Sequence, residues 1–106
     1  MLKIDWIQKK VRKSEYYFSK HGDHERQNDD LTIGEIEEAL LTGRILEQYE
    51  DMGRGPSCLV AGFTENGKPI HVVCGARGDW MVIITLYIPL PPKFITPACP
   101  SWIRQL

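Results

Sequence analysis

The 106-residue chain has few cysteines, and no two of the three (Cys58, Cys74, Cys99) stand at a Cys-x-x-Cys spacing. An odd count without paired spacing argues against a disulfide framework and fits reduced thiols. Cys58 and Cys74 fall in apolar, strand-like segments and read as small core residues. Long apolar runs are also missing. The longest, Met81 to Leu90, is too short to span a bilayer and ends in prolines. Met1-Leu2-Lys3-Ile4-Asp5-Trp6 turns charged before an apolar signal region develops, so the expected compartment is the cytosol, with no membrane association. Charge of one sign is lacking too: 13 Lys and Arg stand against 14 Asp and Glu, a net charge of −1. That balance excludes a broad basic surface binding nucleic acid by charge alone, though not a small basic cleft. Repeats and linkers are absent.

What is present is an ordinary globular balance, 42% apolar and 25% charged, in a length that serves one core. The expectation is a single domain over 1–106. Ile4, Ile7 and Val11 stand at helical spacing within 4–13. Tyr16-Tyr17-Phe18 reads as a brief strand. The polar stretch 19–30 fits a helix or a loop equally. Thr32-Ile33-Gly34-Glu35 has capping-box spacing ahead of the stripe Ile36, Ala39, Leu40, and Gly43 is a natural stop. Strands follow at 44–49, 58–64, 68–75 and 81–88. The fold class is therefore α+β, with N-terminal helices packed on one face of a four-stranded, mostly antiparallel sheet. Pro89, Pro91, Pro92 and Pro97 predict an irregular C-terminal arm over 89–106.

Asn66-Gly67 between apolar runs is a strong hairpin signal. Taken as a two-residue turn, it sets Phe63 against Ile70, Ala61 against Val72 and Leu59 against Cys74, an apolar face for the helices. His71 then falls on the other face, opposite Gly62. Alternation puts Val82, Ile84 and Leu86 with the apolar face and Thr85 and Tyr87 beside His71; pairing Val72 with Ile84 would set His71 opposite Thr85. The polar stretch adds a second group, His21-x-x-His24-Glu25-Arg26. Two histidines without a third close ligand are a weak metal signal, so neither a metal nor another cofactor is expected. Imidazoles beside a guanidinium suit acid–base chemistry at a phosphate better, and a solvated helix face with internal ion pairs stands as the alternative.

Ser19-Lys20-His21, Glu25-Arg26, Asp30, a helix ending at Gly43 and Ile45–Tyr49 together resemble a bacterial family, domain of unknown function 4258. Gly55 to Phe63, Gly67 to Gly75, Ile83 to Pro89 and Pro92-Lys93-Phe94 extend the resemblance over roughly 15–97, with 15–88 as the family core. The resemblance implies kinship with the RelE/ParE toxin superfamily, a RelE-like fold and a small zinc-finger antitoxin as partner. By motif match, His21, Glu25 and Arg26 are the family's polar signature, and His71, Thr85 and Tyr87 its sheet positions.

The expected activity is metal-independent RNA cleavage by a toxin of a toxin–antitoxin pair. His71 or His21 is the candidate base, Arg26 or Arg77 stabilises the phosphorane-like charge, and Tyr87 or a second histidine protonates the leaving oxygen. Glu25, Arg77 and Thr85 are substrate-binding candidates. Basic residues gather before position 21 and acidic ones from 29 to 51, which departs from the basic face expected of an RNA-docking ribonuclease. Two other readings therefore stand beside it. One is a non-catalytic module docking a partner through Trp80, Phe94 and Trp102. The other is an inactive member of the same fold.

Overall fold

The computed structural model describes residues 1–51 and 53–89, and the backbone of 94–96 and 99–100. Three helices and five strands make up the body: α1 (Ile4–Arg12), β1 (Tyr16–Phe18), α2 (Lys20–Asn28), α3 (Ile33–Leu41), β2 (Arg44–Tyr49), β3 (Ser57–Phe63), β4 (Pro69–Arg77) and β5 (Trp80–Tyr87). The polar stretch after β1 is thus helical. Ser19 caps α2, its Oγ accepting from the Gly22 amide at 2.9 Å. At α3 the expected capping box is present, with Thr32 Oγ1 accepting from the Glu35 amide and the Glu35 carboxylate accepting from the Thr32 amide.

The sheet is mixed and has five strands, in the order β1-β5-β4-β3-β2, rather than four. The fifth is the Tyr16–Phe18 segment, which adds to the edge of β5 in parallel. Three residues are too few for periodicity to announce a pairing so distant in sequence. Tyr16 and Phe18 pack against the core, which turns Tyr17 to the other face. Phe94–Thr96 (β6) and Cys99–Pro100 (β7) pair as a small separate sheet, where an irregular arm was expected. Pro100 sits at its last position, where a missing amide is tolerated. The rest of the 90–106 stretch, with Trp102, lies outside the described residues.

Helices α1 and α3 cover one face of the large sheet. Ile7, Val11, Ile36, Ala39 and Leu40 bury against Cys58, Val60, Ile70, Val72, Cys74, Met81, Ile83 and Leu86. Gln8 ties the two helices together, its Nε2 donating to the Leu40 and Leu41 carbonyls at the end of α3. No helix among the described residues is long and apolar enough to cross a membrane.

The β3–β4 register differs by one residue from the expected one. Val60 faces Val72, Ala61 faces His71 and Gly62 faces Ile70. The turn is the cause. It has three loop residues, 65–67, closed by Thr64 N–H to the Lys68 carbonyl and Gly67 N–H to the Thr64 carbonyl. Gly67 at φ 82° supplies the left-handed position such a loop needs, so the two-residue assumption fails. Hence Cys58, Val60 and Gly62, not Leu59, Ala61 and Phe63, form the helix-facing row of β3. At Gly62 an added Cβ would lie 1.7 Å from the Ala39 carbonyl oxygen, so the missing side chain admits the backbone of α3.

A bulge interrupts β4–β5 between Val73 and Cys74, leaving Ile84 as the extra residue in β5. Before it, Met81 and Ile83 face the helices; after it, Leu86 does. Val82 and Ile84, expected in the core, therefore lie on the opposite face, where the Ile84 side chain packs over Gly75. Ser19 fastens β1 and α2 at the bulge, its amide donating to the Ile83 carbonyl at 2.9 Å and its hydroxyl to the Ile84 carbonyl at 2.8 Å.

Candidate functional site on the open sheet face

Ile70 and Val72 point under the helices, so His71 between them points to the opposite face. It stands opposite Tyr87 on β5 and Ala61 on β3, not opposite Thr85 and Gly62. The His71 and Tyr87 rings meet with centroids 5.5 Å apart at 58°. Thr85 shares that face one position back, opposite Val73, roughly 7 Å from Tyr87 along the strand. The expected trio therefore does share a face, and the bulge at Ile84 puts it there.

His71 has no solvent exposure, and Leu59 and Val82 are buried on the same face. Around them the face carries exposed aromatics: Tyr17 on β1, Tyr49 on β2 and Phe63 on β3, at 45, 39 and 50% exposure. Such spacing leaves rings accessible on several strands at once.

Two residues of this face were not singled out in the sequence, Glu47 and Tyr49. A second bulge, between Ile45 and Glu47, lets Ile45 pack on the core while Glu47 pairs with Leu59 and Tyr49 with Ser57. The Tyr49 hydroxyl donates to Glu47 Oε2 at 2.8 Å. Glu47 Oε1 is shielded from solvent and has no hydrogen-bond partner among the described residues. A buried acceptor left in that state costs about 1–3 kcal/mol. Burial, then the Glu47 charge, push the Tyr87 hydroxyl up to about 12. Burial and the bond to Glu47 raise Tyr49 likewise. Both phenols thus stay protonated at neutral pH. The alternating polar positions Glu47 and Tyr49 were the available signal, masked by the bulge before them.

The residues of α2 form a separate group. His21 is 64% exposed and its Nε2 lies 3.8 Å from Glu25 Oε1. It lines an open groove with Lys20, Asp23, His24 and Gln27. Arg26 is committed to the fold: Nε and Nη2 donate to Asp23 Oδ1 at 3.2 and 2.8 Å, and Nη1 donates to the Leu31 carbonyl. Its guanidinium also lies over the Phe18 ring, 5.8 Å from the centroid. Arg77 shares the His71 face but stands six residues along β4, about 20 Å away. There it adjoins the loop where the Gly53 and Gly55 amides, aided by its charge, hold the Asp51 carboxyl below its ordinary value. Among the described residues no group of three or more His, Cys, Asp or Glu could hold a metal ion.

No curated protein and no solved structure matches the chain. A family model does match, over residues 18–88, beginning one residue before the Ser19 cap and ending one residue after Tyr87. That span takes in both α2 and the sheet face with His71. The chain belongs to the family described as domain of unknown function (DUF4258).

Proposed function

We propose that the chain is the toxin component of a bacterial toxin–antitoxin pair, a RelE-like protein that cuts RNA without a metal on the sheet face opposite the helices. The observation that supports this reading is the His71–Tyr87 ring pair on that face, flanked by the accessible rings of Tyr17, Tyr49 and Phe63. Unstacked bases of single-stranded RNA stack on aromatic side chains set out this way. A ribose 2′-hydroxyl gives its proton to water as its oxygen attacks the adjacent phosphate; the bond from phosphorus to the 5′-oxygen breaks, a cyclic phosphate forms, and the leaving oxygen takes up a proton. Tyr87 supplies it, since its hydroxyl holds its proton at neutral pH. His71 lies against that ring from the neighbouring strand and positions it. The exposed His21, with Glu25 beside it, is the second imidazole available to an RNA strand that crosses α2. In this reading the protein acts in the cytosol and is silenced by a small zinc-finger antitoxin.

The test is cleavage of single-stranded RNA by the purified protein in the presence of chelator. Tyr87→Phe is expected to lower the rate about 100-fold or more while the far-ultraviolet circular dichroism stays unchanged. A folded wild-type protein that neither cuts RNA nor arrests growth on expression overturns the proposal.

A non-catalytic binding module is the second reading, and two observations favour it. His71 is wholly buried, and the hydrogen bonds of Arg26 go to Asp23 and Leu31. A partner that protects the sheet face from hydrogen exchange, with no cleavage in its absence, would support that reading.

A further inference from the structure

We infer that Glu47 and Tyr49 form a subsite for a guanine base of single-stranded RNA, an inference that rests on the RNA reading of the same face. Glu47 stands on β2 at the rim of the face, in line with Leu59, Val73 and Thr85. One carboxylate oxygen holds the Tyr49 hydroxyl and the other is shielded, without a partner among the described residues. The group is a two-oxygen acceptor with one oxygen unused, and a base reaches both oxygens only when the Tyr49 ring moves aside.

Guanine is the base whose Watson–Crick edge offers two neighbouring N–H donors, at N1 and N2, which match the two oxygens of one carboxylate. Adenine presents an acceptor at N1, and uracil and cytosine present carbonyl or ring acceptors beside a single donor position. Each of these sets a lone pair against a carboxylate oxygen. Tyr49 supplies the second element of recognition. Its ring is on an edge strand and 39% exposed, so it can leave Glu47 and lie on the base that replaces its hydroxyl. The subsite faces the same side as Tyr87, so a strand held there by one base passes along the face that carries the His71–Tyr87 pair. Arg44, opposite Ala61 at the start of β2, is exposed and is the cation on this strand for the RNA phosphates.

The experiment uses the full chain and fluorescent hexanucleotides with 2′-O-methyl riboses, which cannot be cleaved, identical except for G, A, C or U at one position. Binding is read by anisotropy. The wild type is expected to bind the guanine oligomer about tenfold more tightly than the adenine one. Glu47→Gln replaces one acceptor oxygen with a donor, which suits the N1 and N6 edge of adenine. This variant is expected to lose the guanine preference and move toward adenine, a change that a purely structural role of Glu47 would not produce.

Tyr49→Ala is expected to weaken guanine binding about tenfold and serves if Glu47→Gln does not fold. Equal binding of the four oligomers by the wild type, no binding of any, or an unchanged guanine preference in Glu47→Gln overturns the inference. The same oligomers with ordinary riboses separate it from the cleavage reading. Guanine preference without cleavage leaves the subsite and removes the nuclease, and cleavage without guanine preference does the reverse.

Discussion

A phenol whose pKa reaches about 12 makes Tyr87 a reporter as well as a candidate proton donor. Burial is the larger cause and the Glu47 charge the smaller, and both favour the neutral form in the folded state. The folded value lies above the ordinary 10.0, so the stability linked to this hydroxyl is whole below pH 10 and is lost as pH climbs toward 12. Denaturant unfolding across that window should show Tyr87→Phe losing stability less steeply than the wild type. Parallel slopes would mean that Tyr87 ionises as readily folded as unfolded. Some slope should remain in the variant, because Tyr16, Tyr49 and the buried Cys58 thiol are also raised. At this scale the sequence was partly transparent. His71, Thr85 and Tyr87 share one face as alternation led one to expect, but it is the bulge at Ile84, which alternation does not foresee, that brings Thr85 and Tyr87 there. Arg26, offered as a phosphate ligand, braces Asp23 and the Leu31 carbonyl, and its pairing with Asp23 three residues away becomes legible only once 19–30 is known to be helical.

Among the elements, α3 and β3 meet most closely at Gly62, where backbone approaches backbone. Gly62→Ala should cost about 1–3 kcal/mol, since its new Cβ would fall on the Ala39 carbonyl unless the helix moves away. Thermal unfolding of the variant beside the wild type measures this, and an unchanged midpoint would show that α3 shifts without penalty. The contact also explains why the elements were easier to read than their alignment. The helix at 33–41, the strands and the hairpin turn all carry local signatures: a capping box, alternation and Asn-Gly. Loop length does not. Gly67 alone at positive φ, where an Asn-Gly type I′ turn needs two such positions, goes with a three-residue loop that moves β3 by one step against β4. The bulges at Leu46 and Ile84 have no comparable signature, since both are ordinary apolar residues that follow other apolar residues. The Tyr16–Phe18 strand is legible as a strand, but its partner is set by tertiary packing.

Taken as a whole, the molecule keeps its densest basic cluster away from its candidate chemistry. The basic turn of α1, with Lys9, Lys10 and Arg12, belongs to the helix layer, while the face of His71 and Tyr87 carries rings, the Glu47 carboxylate and two arginines, Arg44 and the more distant Arg77. RNA bound on that face by stacking should release few counterions. A plot of log affinity against log salt is expected to have a slope no steeper than about −2, which corresponds to roughly three phosphates at about 0.7 each. A slope of about −5 would instead place the strand along a basic surface and away from His71.

The extra residue in β5 gives the strand two phases. Up to Ile83 the odd positions face the helices; beyond Ile84 the even ones do, which is why Leu86 is inside and Tyr87 outside. Tyr87 thus depends on a count as well as on an identity. Deleting Ile84 would leave every neighbouring side chain chemically intact, yet it would direct the phenol inward and leucine outward. In the course of descent, a single lost codon there would do more to the sheet face than most substitutions within it, whereas the exposed tip at Asn66 could change its length with far less consequence.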